Sequence, residues 1–244
     1  MEDTTIEEVK VETPEINNRT VRFSDAPWYK SGIKIIIGGV GGIGSWLSLA
    51  LSRQDSELYL FDFDQVDETN MGGQHFTTND IGRNKAEVMK EQIANFSANT
   101  NVTTFENYDD DSFSNPIVFA AFDSMKARKL MFDKWVELMR SEEYEDKPGI
   151  FIDGRLLAEG IKVFAVTKDK IDEYRKFLWD DSEIQDLPCS FKATTHCSMI
   201  IGGLMVSIYN NYLTNLVYNC CVREVPFLTE FDLPTLTFNM KEDE

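Results

Sequence analysis

The chain has 244 residues, 42% of them hydrophobic, which is enough for one sizeable α/β core with extensions and tight for two. Its 24 Lys+Arg against 42 Asp+Glu leave a formal net charge of −18, which repels phosphate backbones and argues against nonspecific nucleic-acid binding. The longest apolar stretch, around Met199 to Tyr209, is broken by Gly202, Gly203 and Ser207. It falls short of the ~20 residues a bilayer span needs, so a soluble protein without a membrane partner is expected.

Residues 1 to about 18 lack apolar periodicity and carry Glu2, Asp3, Glu7, Glu8 and Glu12, the pattern of a mobile acidic arm preceding a domain over 19–240. Ile33 to Ile37 reads as a buried parallel strand, followed by a glycine turn and an apolar helix through Trp46, Leu47, Leu49 and Ala50. Leu58 to Phe61 is a second strand, and Asp80 to Ala98 a helix with Val88, Ile93 and Ala94 for its core face. Val102 to Phe105 and Ile117 to Ala121 are short strands, the second leading into a long helix that begins at Ser124.

Ile150 to Asp153 and Ile161 to Val166 read as further strands separated by GRLLAEG, followed by an irregular acidic segment with Trp179, Asp180 and Asp181. A last helix is expected over about Thr194 to Asn215, with LPTLTFNM as a late strand. Strands alternating with helices predict a Rossmann-like, mostly parallel sheet covered on both faces.

Gly39, Gly41, Gly42 and Gly44 follow a strand and open a helix, so bare backbone and a helix N-terminus face a ligand's phosphates. Such a cluster also serves as a tight packing turn. An acidic residue about 20 positions on would hold the ribose. Asp62 lies 18 residues past Gly44 and Asp64 follows it. A nicotinamide oxidoreductase needs one carboxylate there, and the DFD pair followed by Asn70, Gln74 and Lys85 exceeds that requirement, which favours ATP. Lys85 in isolation is a solvated helix residue.

GGVGGIGS, LFDFDQVDETNMGGQ, DIGRNKAEV and FAAFDSMKAR together resemble the successive motifs of the ThiF/MoeB/ubiquitin-activating (E1-like) adenylyltransferase family, in the right order over roughly residues 19 to 215. The resemblance implies an ATP-dependent adenylation of a carboxylate, commonly the C-terminus of a ubiquitin-like or sulfur-carrier protein, with pyrophosphate release. It implies that Asp64 binds the ATP ribose, that Asp62 is the acidic residue before it, and that the four glycines form the phosphate-side turn. Asn70, Gln74 and Lys85 would surround the nucleotide, and Asp123 would bind Mg²⁺. Without the resemblance Asp123 reads as a helix N-cap, with Ser124 competing for that role.

The family's N-terminal arm often supplies an arginine to the other subunit's triphosphate, which points to Arg19, less well to Arg22, and to a homodimer. One departure stands out. Where the family has an arginine between Asn70 and Gln74, this chain has Met71-Gly72-Gly73, losing a bidentate phosphate donor. Either Arg83 or Arg19 compensates, or activity is reduced and the protein is a binding or scaffold relative.

The four cysteines, Cys189, Cys197, Cys220 and Cys221, show no CxxC pairing and no signal peptide precedes them, so a reducing cytoplasm and no structural zinc are expected. Cys189, before a helix and near Lys192, is the candidate nucleophile for transfer beyond the adenylate. Cys197, Cys220 and Cys221 read as core residues. His75 is a surface or capping residue beside the nucleotide, and Asp153 with Arg155 a local ion pair at a strand end. The acceptor, whether a small carrier protein, a peptide or a small carboxylate, is not encoded in these motifs.

Overall fold

The computed structural model describes residues 20–157, 159–178 and 194–241. Eight strands form one sheet: β1 (Lys34–Gly38), β2 (Glu57–Phe61), β3 (Val102–Phe105), β4 (Ile117–Ala120), β5 (Ile150–Leu157), β6 (Gly160–Val166), β7 (Leu228–Asp232) and β8 (Thr237–Lys241). Their spatial order is β3-β2-β1-β4-β5-β6-β7-β8. The first five run parallel and the last three add antiparallel. Among the described residues five α-helices accompany the sheet: α1 (Gly42–Ser52), α2 (Lys85–Ser97), α3 (Met125–Met139), α4 (Ile171–Arg175) and α5 (Thr195–Tyr218). The segment that carries α4 and α5 joins β6 to β7.

The parallel strands are apolar on both sides because both faces are covered. On one face Ile35, Ile37, Phe119 and Ile152 join Leu47 and Leu51 of α1, Val88 and Ile93 of α2, and Ile201, Met205 and Tyr209 of α5. On the other, Ile36, Val118, Ala120 and Phe151 meet Phe132, Trp135 and Val136 of α3 and Tyr174 of α4. Among the described residues no helix is long and apolar enough to cross a membrane.

The chain runs outward from β1 through β2 to β3, then returns to place β4 on the other side of β1. This reversal opens a crevice beyond the carboxyl ends of β1 and β4, where α/β sheets bind ligands.

Four local expectations need correction. The helix expected from Asp80 starts at Lys85, because Asp80 is held in its own turn, accepting from Thr77 N at 2.8 Å and Gln92 Nε2 at 3.2 Å, and Gly82 takes φ +84°. Asn84 then caps α2 by accepting from Glu87 N at 3.1 Å. The GRLLAEG string is mostly strand: β5 continues through Gly154 and Arg155, pairing Arg155 with Lys162 of β6. β7 went unread because LTEFD has no β-branched run; its neighbours make it a strand, including a Lys162–Glu230 ion pair of 2.7 Å across to β6. Cys220 and Cys221 are exposed, just beyond the end of α5, while Cys197 is buried as expected.

Candidate functional site

The glycine turn is folded back on itself. Gly39 adopts φ +86°, and a Cβ there would stand 2.8 Å from the Ala121 carbonyl group, so the turn lies directly against the end of β4. At Gly44 a Cβ would stand 1.8 Å from Gly39 O. These two glycines are therefore demanded by backbone packing. At Gly41 the nearest atoms to such a Cβ belong to the Gln74 amide, at 3.8–3.9 Å, so packing does not account for that glycine. Gly41 is the N-cap of α1, with no side-chain capping bond and no acidic residue in the first turn. The first amides of α1, beginning at Gly42, and the positive end of its dipole are thus left to solvent or an anion.

Asp62 ties this turn to β2. Its Oδ2 accepts from Val40 N at 2.6 Å and its Oδ1 from Asp64 N at 2.9 Å. Burial raises its carboxyl above the ordinary aspartate value, opposed by the Val40 amide and the nearby Lys85 charge. Asp62 is therefore a buried clamp for the glycine turn. Asp64 has a half-exposed side chain, and its Oδ2 receives Lys85 Nζ at 2.8 Å; the lysine side chain is only 8% exposed. Lys85 N also donates to Asp64 O at 2.9 Å, so α2 begins on the residue that follows the DF pair. A carboxylate and an ammonium that sequence places 21 positions apart meet beside the glycine turn.

Asn70 closes a 3-10 turn over Glu68–Gly72, accepting from Asp67 N at 2.9 Å in a capping box. The altered segment after it is tied down by its carbonyls: Thr195 Oγ1 donates to Gly72 O at 2.8 Å and Trp46 Nε1 to Gly73 O at 3.1 Å. Beside it, Gln74 Oε1 is buried with no hydrogen-bond partner among the described residues. An orphaned acceptor next to the open Gly41 position fits a missing polar ligand. His75 serves the scaffold: its N–H donates to Ser45 Oγ at 3.0 Å, its Nδ1 lies 2.7 Å from Gln92 Oε1, and its ring packs edge-on against Trp46. Arg83, a candidate to replace the missing arginine, is paired with Glu91 at 2.5 Å and Asp80 at 3.6 Å.

Asp123 follows β4 at the other lip of the crevice and is exposed. The cap of α3 is Ser124, whose Oγ accepts from Ala127 N at 3.3 Å, so Asp123 is not needed for that role. Among the described residues no three His, Cys, Asp or Glu side chains gather as a metal site. A divalent ion at Asp123 would therefore draw most of its ligands from phosphate and water, as Mg²⁺ commonly does. Arg19, Cys189 and Lys192 lie outside the described residues.

Asp153 and Arg155 belong to a larger group than their spacing suggests. Asp153 sits fully buried in the middle of β5, not at a strand end, because the strand runs on through Leu157; Arg155 Nε donates to it at 2.6 Å, Tyr174 OH at 2.8 Å, and the Arg128 guanidinium contacts its other oxygen. Burial raises the Tyr174 phenol pKa, keeping it a donor. Arg128 lies within the FAAFDSMKAR string, yet its partner is on another strand and no local spacing announces it. Trp46 escaped in the same way, since its helical position reads as core while its indole N–H serves the loop after Asn70.

Fold and site together define a single-domain α/β protein of Rossmann-like build, with a glycine turn opening an uncapped helix and flanking carboxylates at the switch point. The ThiF family model matches residues 30–243, and the chain belongs to the ThiF family. Over 76 residues it is 37% identical to the tRNA threonylcarbamoyladenosine dehydratase of Escherichia coli (strain K12), a match covering 30% of this chain and 28% of that protein. Over 83 residues it is 31% identical to the ubiquitin-like modifier-activating enzyme 5 of Caenorhabditis elegans, covering 31% of this chain and 20% of that protein. The chain thus matches less than a third of the length of these curated relatives.

Among solved structures, E. coli MccB with ATP superposes with a TM-score of 0.68 at 16% identity, covering 92% of this chain and 71% of that one. PaaA superposes with a TM-score of 0.66 at 19% identity, covering 99% and 77%. At these identities the likeness is one of fold.

Proposed function

We propose that the protein is an ATP- and Mg²⁺-dependent adenylyltransferase that activates a carboxylate. The observation that carries this reading is the uncapped start of α1 at Gly41 and Gly42 beside the orphaned Gln74 Oε1, in a turn that Asp62 ties to the Asp64–Lys85 pair. Family membership and a solved MccB containing ATP support it. The acceptor carboxylate oxygen bonds to the α-phosphorus while the bond to the outer two phosphates breaks, releasing pyrophosphate and leaving an acyl-adenylate.

In this reading the α1 amides and Lys85 balance phosphate charge, Asp64 holds the ribose hydroxyls, and Asn70 and Gln74 fix the nucleotide's polar edges. Asp123 would hold Mg²⁺, which when bound neutralises charge developing on the phosphates. Oriented binding supplies much of the remaining acceleration. The acceptor is proposed to be the C-terminus of a small ubiquitin-like or sulfur-carrier protein or a peptide. One relative is named as a ubiquitin-like modifier-activating enzyme, and MccB has been solved with MccA and an ATP analogue. Arg19 donated across a homodimer, Cys189 as an acyl acceptor and a cytoplasmic location complete the proposal.

Pyrophosphate–ATP exchange, screened against peptide and carrier-protein acceptors, tests it. Exchange should appear with the right acceptor and be lost in Asp123→Ala; unchanged exchange in that variant refutes the assignment. A second reading, a nucleotide-binding protein without turnover, is favoured by Met71-Gly72-Gly73, where the family carries a cationic donor and this chain has two engaged carbonyls, those of Gly72 and Gly73. It predicts ATP binding by calorimetry with no exchange under any acceptor.

A further inference from the structure

We infer that Arg128 is a positioning residue for Asp123, clamping the β4–α3 turn from the side opposite the glycine turn; this rests on the metal role proposed for Asp123. On one side the turn is held by backbone: Ala121 N donates to Gly38 O at 2.7 Å, and Gly39 lies against Ala121 and the Phe122 amide so closely that a Cβ would be 2.8 Å away. On the other side the Arg128 Nη2 donates to the carbonyl oxygen of Phe122. That carbonyl belongs to the peptide unit whose nitrogen is Asp123 N. Fixing its plane fixes where the Asp123 backbone, and so the root of its carboxylate, enters the crevice.

The guanidinium reaches this carbonyl with one nitrogen while the other contacts Asp153. Asp153 is in turn held by Arg155 at 2.6 Å and Tyr174 at 2.8 Å, and Arg155 Nη1 donates to Phe177 O at 3.0 Å. The turn is thereby referenced to β5 and α4, two elements it does not adjoin in sequence. The side chains of Arg128 and Asp153 are 7% and 0% exposed, so water does not compete for these bonds. A planar fork suits two acceptors in different directions; a lysine ammonium on a flexible stem does not hold the same plane. Conserving the charge while losing the fork should therefore loosen the turn. The fold should survive, since Asp153 keeps two of its donors.

The test is the uptake of Mn²⁺ with a non-hydrolysable ATP analogue, followed by electron paramagnetic resonance of the free ion, in wild type, Asp123→Ala, Arg128→Lys and Arg155→Lys. Arg128→Lys should weaken Mn²⁺ affinity about 10- to 100-fold, the effect of removing an outer-shell partner. Arg155→Lys removes a donor from the same buried carboxylate without touching the Phe122 carbonyl, and should lower stability while costing clearly less Mn²⁺ affinity than Arg128→Lys. Wild-type affinity in Arg128→Lys, with binding lost in Asp123→Ala, overturns this inference alone. Equal losses in both arginine variants also overturn it, since they would reflect only a damaged core. Equal binding in wild type and Asp123→Ala removes the metal role of Asp123 and the inference with it. Arg128→Gln, shorter and neutral, gives the same reading if the lysine variant does not fold.

Discussion

Gly44 and Gly203 both lie inside helices, and changing each to alanine should move stability in opposite directions. In α1 the new Cβ at Gly44 would stand 1.8 Å from Gly39 O and 3.6 Å from the Ala121 side chain. Against a comfortable separation of about 3.5 Å, the turn and helix must part by roughly 1.7 Å, and the obstacle is backbone rather than a side-chain tip. Overpacking of this kind costs about 1–3 kcal/mol or more, whereas the gain in helix propensity is at most about 1 kcal/mol. Net destabilisation of about 2 kcal/mol is expected. At Gly203 in α5 nothing lies within 4 Å of the added methyl, so propensity acts alone and Gly203→Ala should gain up to about 1 kcal/mol. Urea denaturation followed by circular dichroism measures both. Gly44→Ala should also weaken ATP binding, by about tenfold or more, because the α1 amides proposed to meet phosphate would shift. A Gly44→Ala variant as stable as Gly203→Ala would refute the account of why the turn carries these glycines.

Other outcomes follow from the same geometry. Lys85→Met should reduce ATP affinity by about tenfold or more, the worth of one charged contact to phosphate, while costing only about 1 kcal/mol of stability because the half-exposed Asp64 rehydrates; calorimetry and denaturation separate the two. Asp62→Ala should loosen the turn by releasing the Val40 and Asp64 amides, with a pH signature that urea melts at several pH values will show. Burial raises the native Asp62 pKa, so the folded state keeps that proton to higher pH than the unfolded chain. Its contribution is full below the unfolded carboxylate range and declines as pH rises through the native value. The stability gap between wild type and Asp62→Ala should therefore narrow from about pH 4 toward pH 7, and a constant gap would count against a raised pKa.

The β-turn-α start, the parallel strands, and the order in which glycines, acidic pair and Asp123 reach the sheet edge are legible in residue order alone. These are local features: a β-branched run buried on both faces, glycines where backbone must approach backbone, and a serine able to cap α3. Asp64 and Lys85 stand out only through the motif resemblance, as expected nucleotide contacts. Packing alone makes Asp62 a buried clamp while Asp64, two residues on, faces solvent and Lys85. Those roles depend on which oxygen meets the Val40 amide across two strands, and no spacing rule reports that. The same holds for β7, which becomes a strand through its partners, and for Gly72 and Gly73, whose carbonyls are claimed by α5 and Trp46. Arg128 is the clearest case. Its neighbours in sequence describe an ordinary helix, and its chemistry comes from Asp153 on β5 and a carbonyl six residues back, contacts that exist only once β4, β5, α3 and α4 have packed.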